Sequence, residues 1–154
     1  MSQMISVVFI ALIFLPPTFK DKPPKNGLIL QTGGVMSTWS AYVVDFDSAT
    51  MRFYETDGHR IDAHNDPKKR KLAGTRKLDP KIISNIRALA NQAIADHYFS
   101  SDQTYDFDIR LEVSKNGKIT ETQTGGPADE KQRISSLLIL LREQFAICEH
   151  TAPN

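Results

Sequence analysis

The clearest pattern in the chain is a strict alternation of apolar and polar residues over 105–113. The apolar positions are Tyr105, Phe107, Ile109, Leu111 and Val113. Alternation with a period of two predicts a β-strand that buries one face in a core. The other face, which we expect to lie in solvent, carries Asp106, Asp108, Arg110 and Glu112. The dipeptide Asn116-Gly117 is typical of a hairpin turn, so the polar segment 118–124 is predicted to return as an edge strand.

Three shorter β-prone segments precede this hairpin, at 28–32, 39–46 and 51–55. The first ends at Gly33-Gly34, which favours a turn. The second is partly apolar on both faces, which predicts a strand that is covered on both sides. Short connections between the three segments predict an antiparallel meander.

Two amphipathic segments predict helices. The first covers 79–97, with Asp79 as N-cap and Pro80 as first helical residue. The second begins at Asp129 and runs to about Glu149. Its wide apolar stripe consists of Ile134, Leu137, Leu138, Leu141, Phe145 and Cys148. The resulting order, β-β-β-α-β-β-α, predicts an α+β fold in which two helices pack on one face of an antiparallel sheet of about five strands.

The segment 56–77 has no strand or helix pattern and is predicted to be a long basic loop. Between Arg60 and Lys81 there are eight basic and three acidic residues. The candidate binding residues are Arg60, Lys68, Lys69, Arg70 and Lys71. Such a cluster can bind phosphate groups or another anion, and a solvated loop is the alternative. The same segment holds His59, His64 and Asp66 as candidate metal ligands, although their spacing matches no established metal motif.

An apolar run from Ile5 to Leu15 opens the chain and is followed by four prolines before Lys25. This run of 11 residues, in which only Ser6 is polar, would span about half of a bilayer, so we expect no stable transmembrane anchor. The length fits a secretory signal, which predicts an exported protein. A buried first strand or a misplaced start codon are the alternatives. We therefore divide the chain into a leader with a proline-rich linker at 1–23 and a single domain at 24–154.

The composition excludes a low-complexity disordered chain, a collagen-like repeat and a polytopic membrane protein. The chain has 154 residues, of which 40% are hydrophobic and 24% charged, and its formal net charge is +1. This is the balance of an ordinary globular domain, and its net charge predicts no specific binding to nucleic acid. Cys148 is the single cysteine, so no internal disulfide can form. We expect a monomer without a cofactor.

The order of the predicted elements resembles the emfourin-type family, small bacterial inhibitors of thermolysin-like metalloproteases. The resemblance covers about 28–145. It rests on a strand that runs into Gly33-Gly34, a Tyr-led alternating strand from Tyr105, a turn at Gly117 and a final leucine-rich helix. It implies a protease as partner, and it identifies no inhibitory residue in this chain.

No set of residues predicts a catalytic centre. Gly33-Gly34 lacks the spacing of a phosphate-binding loop, and no nucleophile-elbow pattern is present. An exposed sheet face, an edge strand and a loop are enough for a binding module. We therefore expect a non-catalytic protein-binding domain, related in activity to protease inhibitors. The alternatives are a small metal-dependent or hydrolytic enzyme that uses the His/Asp-rich loop, and an anion-binding or nucleic-acid-binding protein that uses the basic loop.

Overall fold

The computed structural model of the chain describes residues 22–34, 39–56, 70–96, 107–125 and 133–149. In chain order, its elements are β1 (Gly27–Gly34), β2 (Ser40–Asp45), β3 (Thr50–Thr56), β4 (Arg70–Lys77), α1 (Pro80–Ala95), β5 (Phe107–Lys115), β6 (Lys118–Gly125) and α2 (Arg133–Glu149). The chain is therefore α+β, as the pattern predicts.

All strands form one antiparallel sheet in the order β4-β3-β2-β1-β5-β6. The meander of the first strands and the β5–β6 hairpin are joined where β1 pairs with β5. In that pair Leu30 lies opposite Leu111, and Leu28 lies opposite Val113. Strand β1 is apolar on both faces, with Leu28 and Leu30 on one and Ile29 on the other. A strand of this kind is most stable in the interior of a sheet, where both faces are covered.

The main core lies between one face of the sheet and the two helices. It unites sheet residues such as Leu30 and Leu111 with Ile86 of α1 and Leu137 and Leu141 of α2, all of which are almost fully buried. Burial of one such side chain contributes about 1.5–3 kcal/mol. The prediction of two helices on one face is therefore confirmed.

A row of aromatic rings connects the sheet to α2. The ring centroids of Tyr42 and Phe53 are 4.8 Å apart, and those of Phe53 and Phe145 are 4.0 Å apart. Gly74 of β4 lies opposite Phe53, and a Cβ atom there would come within 2.9 Å of the Phe145 ring. The glycine thus gives α2 the space to approach the sheet closely.

The buried Tyr42 is the described residue with the clearest change in acidity. Burial raises the pKa of its phenol because the charged form loses hydration. A hydrogen bond and the positive charge of Arg142 oppose the rise in pKa, and the negative charge of Glu55 adds to it. The phenol therefore stays neutral within the core at ordinary pH.

The turns and caps follow the sequence signals. Asn116 and Gly117 have positive φ angles of 54° and 76°, as the predicted hairpin turn requires. The Asp79 carboxylate accepts a hydrogen bond of 2.8 Å from the backbone N–H of Lys81, which confirms it as the N-cap of α1. The predicted start of the second helix at Asp129 lies outside the described residues.

The prediction of a loop over 56–77 is wrong for its last part, because Arg70–Lys77 forms strand β4 and raises the number of strands to six. The sequence RKLAGTRK has basic residues at both ends and one large apolar side chain, Leu72. An edge strand needs little apolar surface because one of its sides has no neighbour. The alternation that identifies an interior strand is therefore missing from its sequence.

The prediction of a solvent-exposed polar face on β5 is also wrong at Arg110 and Glu112. Glu112 is only 3% exposed, and the side chain of Arg110 is 11% exposed. A second group of buried residues lies on this same face, opposite the helices: Ile29, Ala41, Val43 and Tyr54. Both faces of the central sheet are therefore buried. Asp106 lies outside the described residues, as does the side chain of Asp108.

Candidate functional site

The predicted basic cluster is divided by the structure. Arg70 and Lys71 belong to β4, and the side chain of Lys71 is exposed. Arg60, Lys68 and Lys69 lie outside the described residues, as do the candidate metal ligands His59, His64 and Asp66. Within the described ranges, no three His, Cys, Asp or Glu side chains lie close enough together to hold a metal ion.

Among the strands that the structure describes, β4 forms one edge of the sheet and pairs with β3 alone. A register shift opposite Phe53 and Tyr54 leaves Ala73 as a bulge, which divides β4 into an outer part, 70–72, and an inner part, 74–77. An edge strand presents backbone N–H and C=O groups that have no partner in the sheet. The two parts differ in what their side chains do.

The cationic side chains of the inner part of β4 bind backbone carbonyl groups elsewhere in the domain. The Arg76 guanidinium donates a hydrogen bond of 2.5 Å to the carbonyl oxygen of Gln144 in α2. The Lys77 ammonium donates one of 2.5 Å to the carbonyl oxygen of Ser48 in the β2–β3 turn. These two cations hold β4 against the rest of the domain.

The outer part of β4 has side chains that are available to a partner. Lys71 is exposed, and Leu72 is 50% exposed. Lys71 lies opposite Glu55 of β3, and Leu72 lies opposite Tyr54. The outer part therefore combines a backbone edge next to no other described strand, a positive charge and an apolar side chain.

The opposite edge of the sheet, β6, has a different character. Its exposed residues include Lys118 and Glu121, so its charges balance, and Ile119 is 39% exposed. Gln123 anchors this strand to α1 by donating a hydrogen bond of 2.8 Å to the Ile94 carbonyl oxygen. Strand β6 thus lacks the charge preference of β4.

Arg110 and Glu112 form a buried ion pair on the helix-free face of the sheet. The Nη2 and Nε atoms of Arg110 lie 2.6 Å and 2.9 Å from Oε1 of Glu112. Gln31 lies directly opposite Arg110 in β1, and its buried Nε2 atom has no hydrogen-bond partner. A buried pair of this kind is costly to break, because either charge alone would stay in a medium of low polarity. We therefore assign it to the fold and not to a ligand site.

No family model matches the chain, and a comparison with curated proteins finds no significant match. No helix among the described residues has both the length and the apolar character needed to cross a membrane. The functional argument therefore rests on the geometry and charge of the domain itself.

The role of β4 as an edge was missed in the sequence because basic residues usually indicate solvated loops. One signal could have indicated it: the segment 70–77 contains no proline and is bounded by the N-cap of α1.

Proposed function

We propose that the chain is a non-catalytic protein-binding domain whose partner adds an extended acidic segment to the outer part of β4. The observation that carries this proposal is that a sheet edge with no neighbour among the described strands coincides with exposed Lys71 and half-exposed Leu72. Extended peptides bind such edges through main-chain hydrogen bonds, and their side chains supply specificity.

The charge of the edge supports an acidic partner. Strand β4 has four basic residues and no acidic one, and Lys68 and Lys69 precede it directly in the sequence. The whole chain has a net charge of only +1, so this positive charge is local. An exposed ion pair contributes about 0.2–1 kcal/mol, which tunes affinity and favours one partner over another.

The basic side chains and the bulge of β4 also disfavour the binding of basic or neutral strands. Basic side chains repel another basic strand, and the bulge at Ala73 limits the length of a neutral strand that can pair with β4. Selectivity of this kind needs an unfavourable contact with competitors as well as a favourable one with the partner. Because β6 carries balanced charges, we propose β4 as the binding edge.

Mutation of Lys71 tests this proposal. A short peptide in which Glu alternates with Val, labelled with fluorescein, should bind the full chain in an anisotropy titration at low salt. We expect Lys71→Glu to weaken binding about 3- to 10-fold, because one attraction is replaced by a repulsion. Lys118→Glu, the matched charge reversal on the opposite edge, should leave the affinity unchanged.

A second peptide separates strand addition from simple charge attraction. It has the same sequence but carries methyl groups on alternate backbone nitrogens, which removes main-chain donors and keeps the charge. Strand addition predicts that this peptide binds much more weakly. Equal affinity for both peptides would contradict the proposal, and tighter binding of duplex DNA than of either peptide would favour the nucleic-acid alternative.

The resemblance to emfourin-type inhibitors implies a thermolysin-like metalloprotease, which is the most specific partner that we propose. Hydrolysis of a chromogenic peptide by such a protease should slow when the full chain is added, and Lys71→Glu should restore the rate. Peptide binding without inhibition would keep the binding proposal and remove the protease.

We propose further that the protein is exported, because the apolar run from Ile5 to Leu15 has the length of a secretory signal. Cells that express the full chain with a C-terminal tag should yield a shortened product outside the cytosol. Replacing Phe9 and Leu12 with Lys should retain the protein inside, because charges in this run prevent insertion into the export machinery. A full-length product of the unmodified chain in the cytosol would refute export.

A further inference from the structure

A cleft of about 490 Å³ opens at one end of the sheet, where α1 passes over the β2–β3 turn and the β5–β6 hairpin. No residue of β4 lines it. Its volume lies within the range of about 300–1,000 Å³ that small-molecule sites occupy. The cleft is therefore large enough for a ligand of its own, separate from the edge at β4.

Two cations line the cleft without an acidic partner. The Arg87 guanidinium lies over the Phe46 ring, with its central carbon 4.7 Å from the ring centroid. Lys115, at the end of β5, lines the same cleft. Within the described ranges, the one ion pair joins Arg110 to Glu112, so neither Arg87 nor Lys115 forms an ion pair there.

Asp47 is the one acidic residue that lines the cleft, and its carboxylate is hydrogen-bonded to a neighbouring side chain. Asp47 accepts hydrogen bonds of 2.8 Å and 3.1 Å at its two carboxylate oxygens from Nδ2 of Asn26. Its charge remains, so the lining has two positive charges against one negative charge. A ligand with one negative charge balances this small net positive charge.

The remaining lining defines the shape of the ligand. Asn91 lies one turn after Arg87 on the same face of α1 and adds an amide that can donate and accept hydrogen bonds. Phe46 and Val113 supply an apolar wall. A guanidinium fixed over an aromatic ring presents its planar fork of donors, which matches the two oxygens of a carboxylate.

We propose that this cleft binds a small organic acid with one carboxylate and an apolar body. Arg87 binds the carboxylate, Asn91 and Lys115 assist from the sides, and the apolar body lies against Phe46 and Val113. This site goes beyond the proposed protein binding at β4, and each can fail without the other.

The test uses the full chain labelled with ¹⁵N and titrated with 3-phenylpropionate, observed by two-dimensional NMR. We expect saturable shifts of the backbone amides of Phe46, Asn91 and Lys115. The neutral amide of the same acid should bind at least about tenfold more weakly, because it cannot form charge-assisted hydrogen bonds.

Three variants distinguish the cleft from a general attraction of anions. Arg87→Gln should weaken binding of the acid about tenfold, and Lys115→Gln should weaken it by a smaller factor. Arg52→Gln is the matched control, because Arg52 also lies over a ring, that of Tyr54 at 5.9 Å, on the other face of the sheet. It should leave the affinity unchanged.

The spectrum of each variant also reports whether the domain is folded, so a loss of binding can be separated from unfolding. Equal affinity for the acid and its amide would overturn the proposal. It would also be overturned by shifts that lie away from the cleft, or by an equal loss in Arg52→Gln and Arg87→Gln.

Discussion

Replacing Leu111 with aspartate should unfold the domain. Leu111 is 1% exposed and lies opposite Leu30 at the centre of the sheet, against the helices. Truncating a buried leucine alone costs about 2–5 kcal/mol, and an unpaired buried carboxylate adds to that cost. Since a domain of this size has a total stability of about 5–15 kcal/mol, the variant should lose its folded state. Urea unfolding followed by circular dichroism measures the effect.

Thr75→Asp provides the control for this prediction. Thr75 is exposed on β4 and lies opposite Arg52, so the new carboxylate meets solvent and a positive charge. Its free energy of unfolding should change by less than about 0.5 kcal/mol. If both variants unfolded at the same urea concentration, the burial of Leu111 described above would be wrong.

Breaking the buried ion pair between Arg110 and Glu112 should cause the second large loss of stability. Arg110→Met leaves the Glu112 carboxylate, which is 3% exposed, without its positive partner. Removal of one member of such a pair costs about 3–5 kcal/mol, because an uncompensated charge stays in a medium of low polarity. We expect the melting temperature and the urea midpoint of this variant to fall sharply.

The double variant Arg110→Met/Glu112→Leu should recover most of this loss. Replacing both members of a buried pair with apolar side chains is about neutral or stabilising, because no charge then needs to be kept away from water. Arg52→Met removes a cation from the same face and should cost less than about 1 kcal/mol. A loss in Arg110→Met as small as in Arg52→Met would show that Glu112 is accessible to water.

Local pattern was sufficient wherever the signal lies within a few neighbouring residues of the chain. The hairpin at Asn116-Gly117 and the cap at Asp79 depend on backbone angles and hydrogen bonds within a few residues, so the sequence indicates both directly. The strand around Leu111 alternates because its apolar side chains face the helices. The β1–β3 meander is predictable because short connections usually join strands that are neighbours in the sheet.

The two candidate sites, the outer part of β4 and the cleft beside α1, depend on contacts that local sequence patterns do not contain. The charge of Lys71 predicts a candidate binding residue, but its place on a sheet edge depends on the pairing of β4 with β3. The cleft joins Phe46, Arg87 and Lys115, which come from three parts of the chain. Proximity between distant segments depends on packing, and no local pattern contains it.

The sequence by itself determined the α+β class, the two amphipathic helices and the strands whose alternation marks a buried face. The tertiary structure alone decided that β5 pairs with β1, that β4 closes one edge of the sheet, and that Glu112 is buried beside Arg110. The physical reason lies in the range of the interactions. Periodicity and turn preferences act between residues that are neighbours in sequence, whereas strand order and the covering of a second sheet face depend on contacts between segments far apart in the chain.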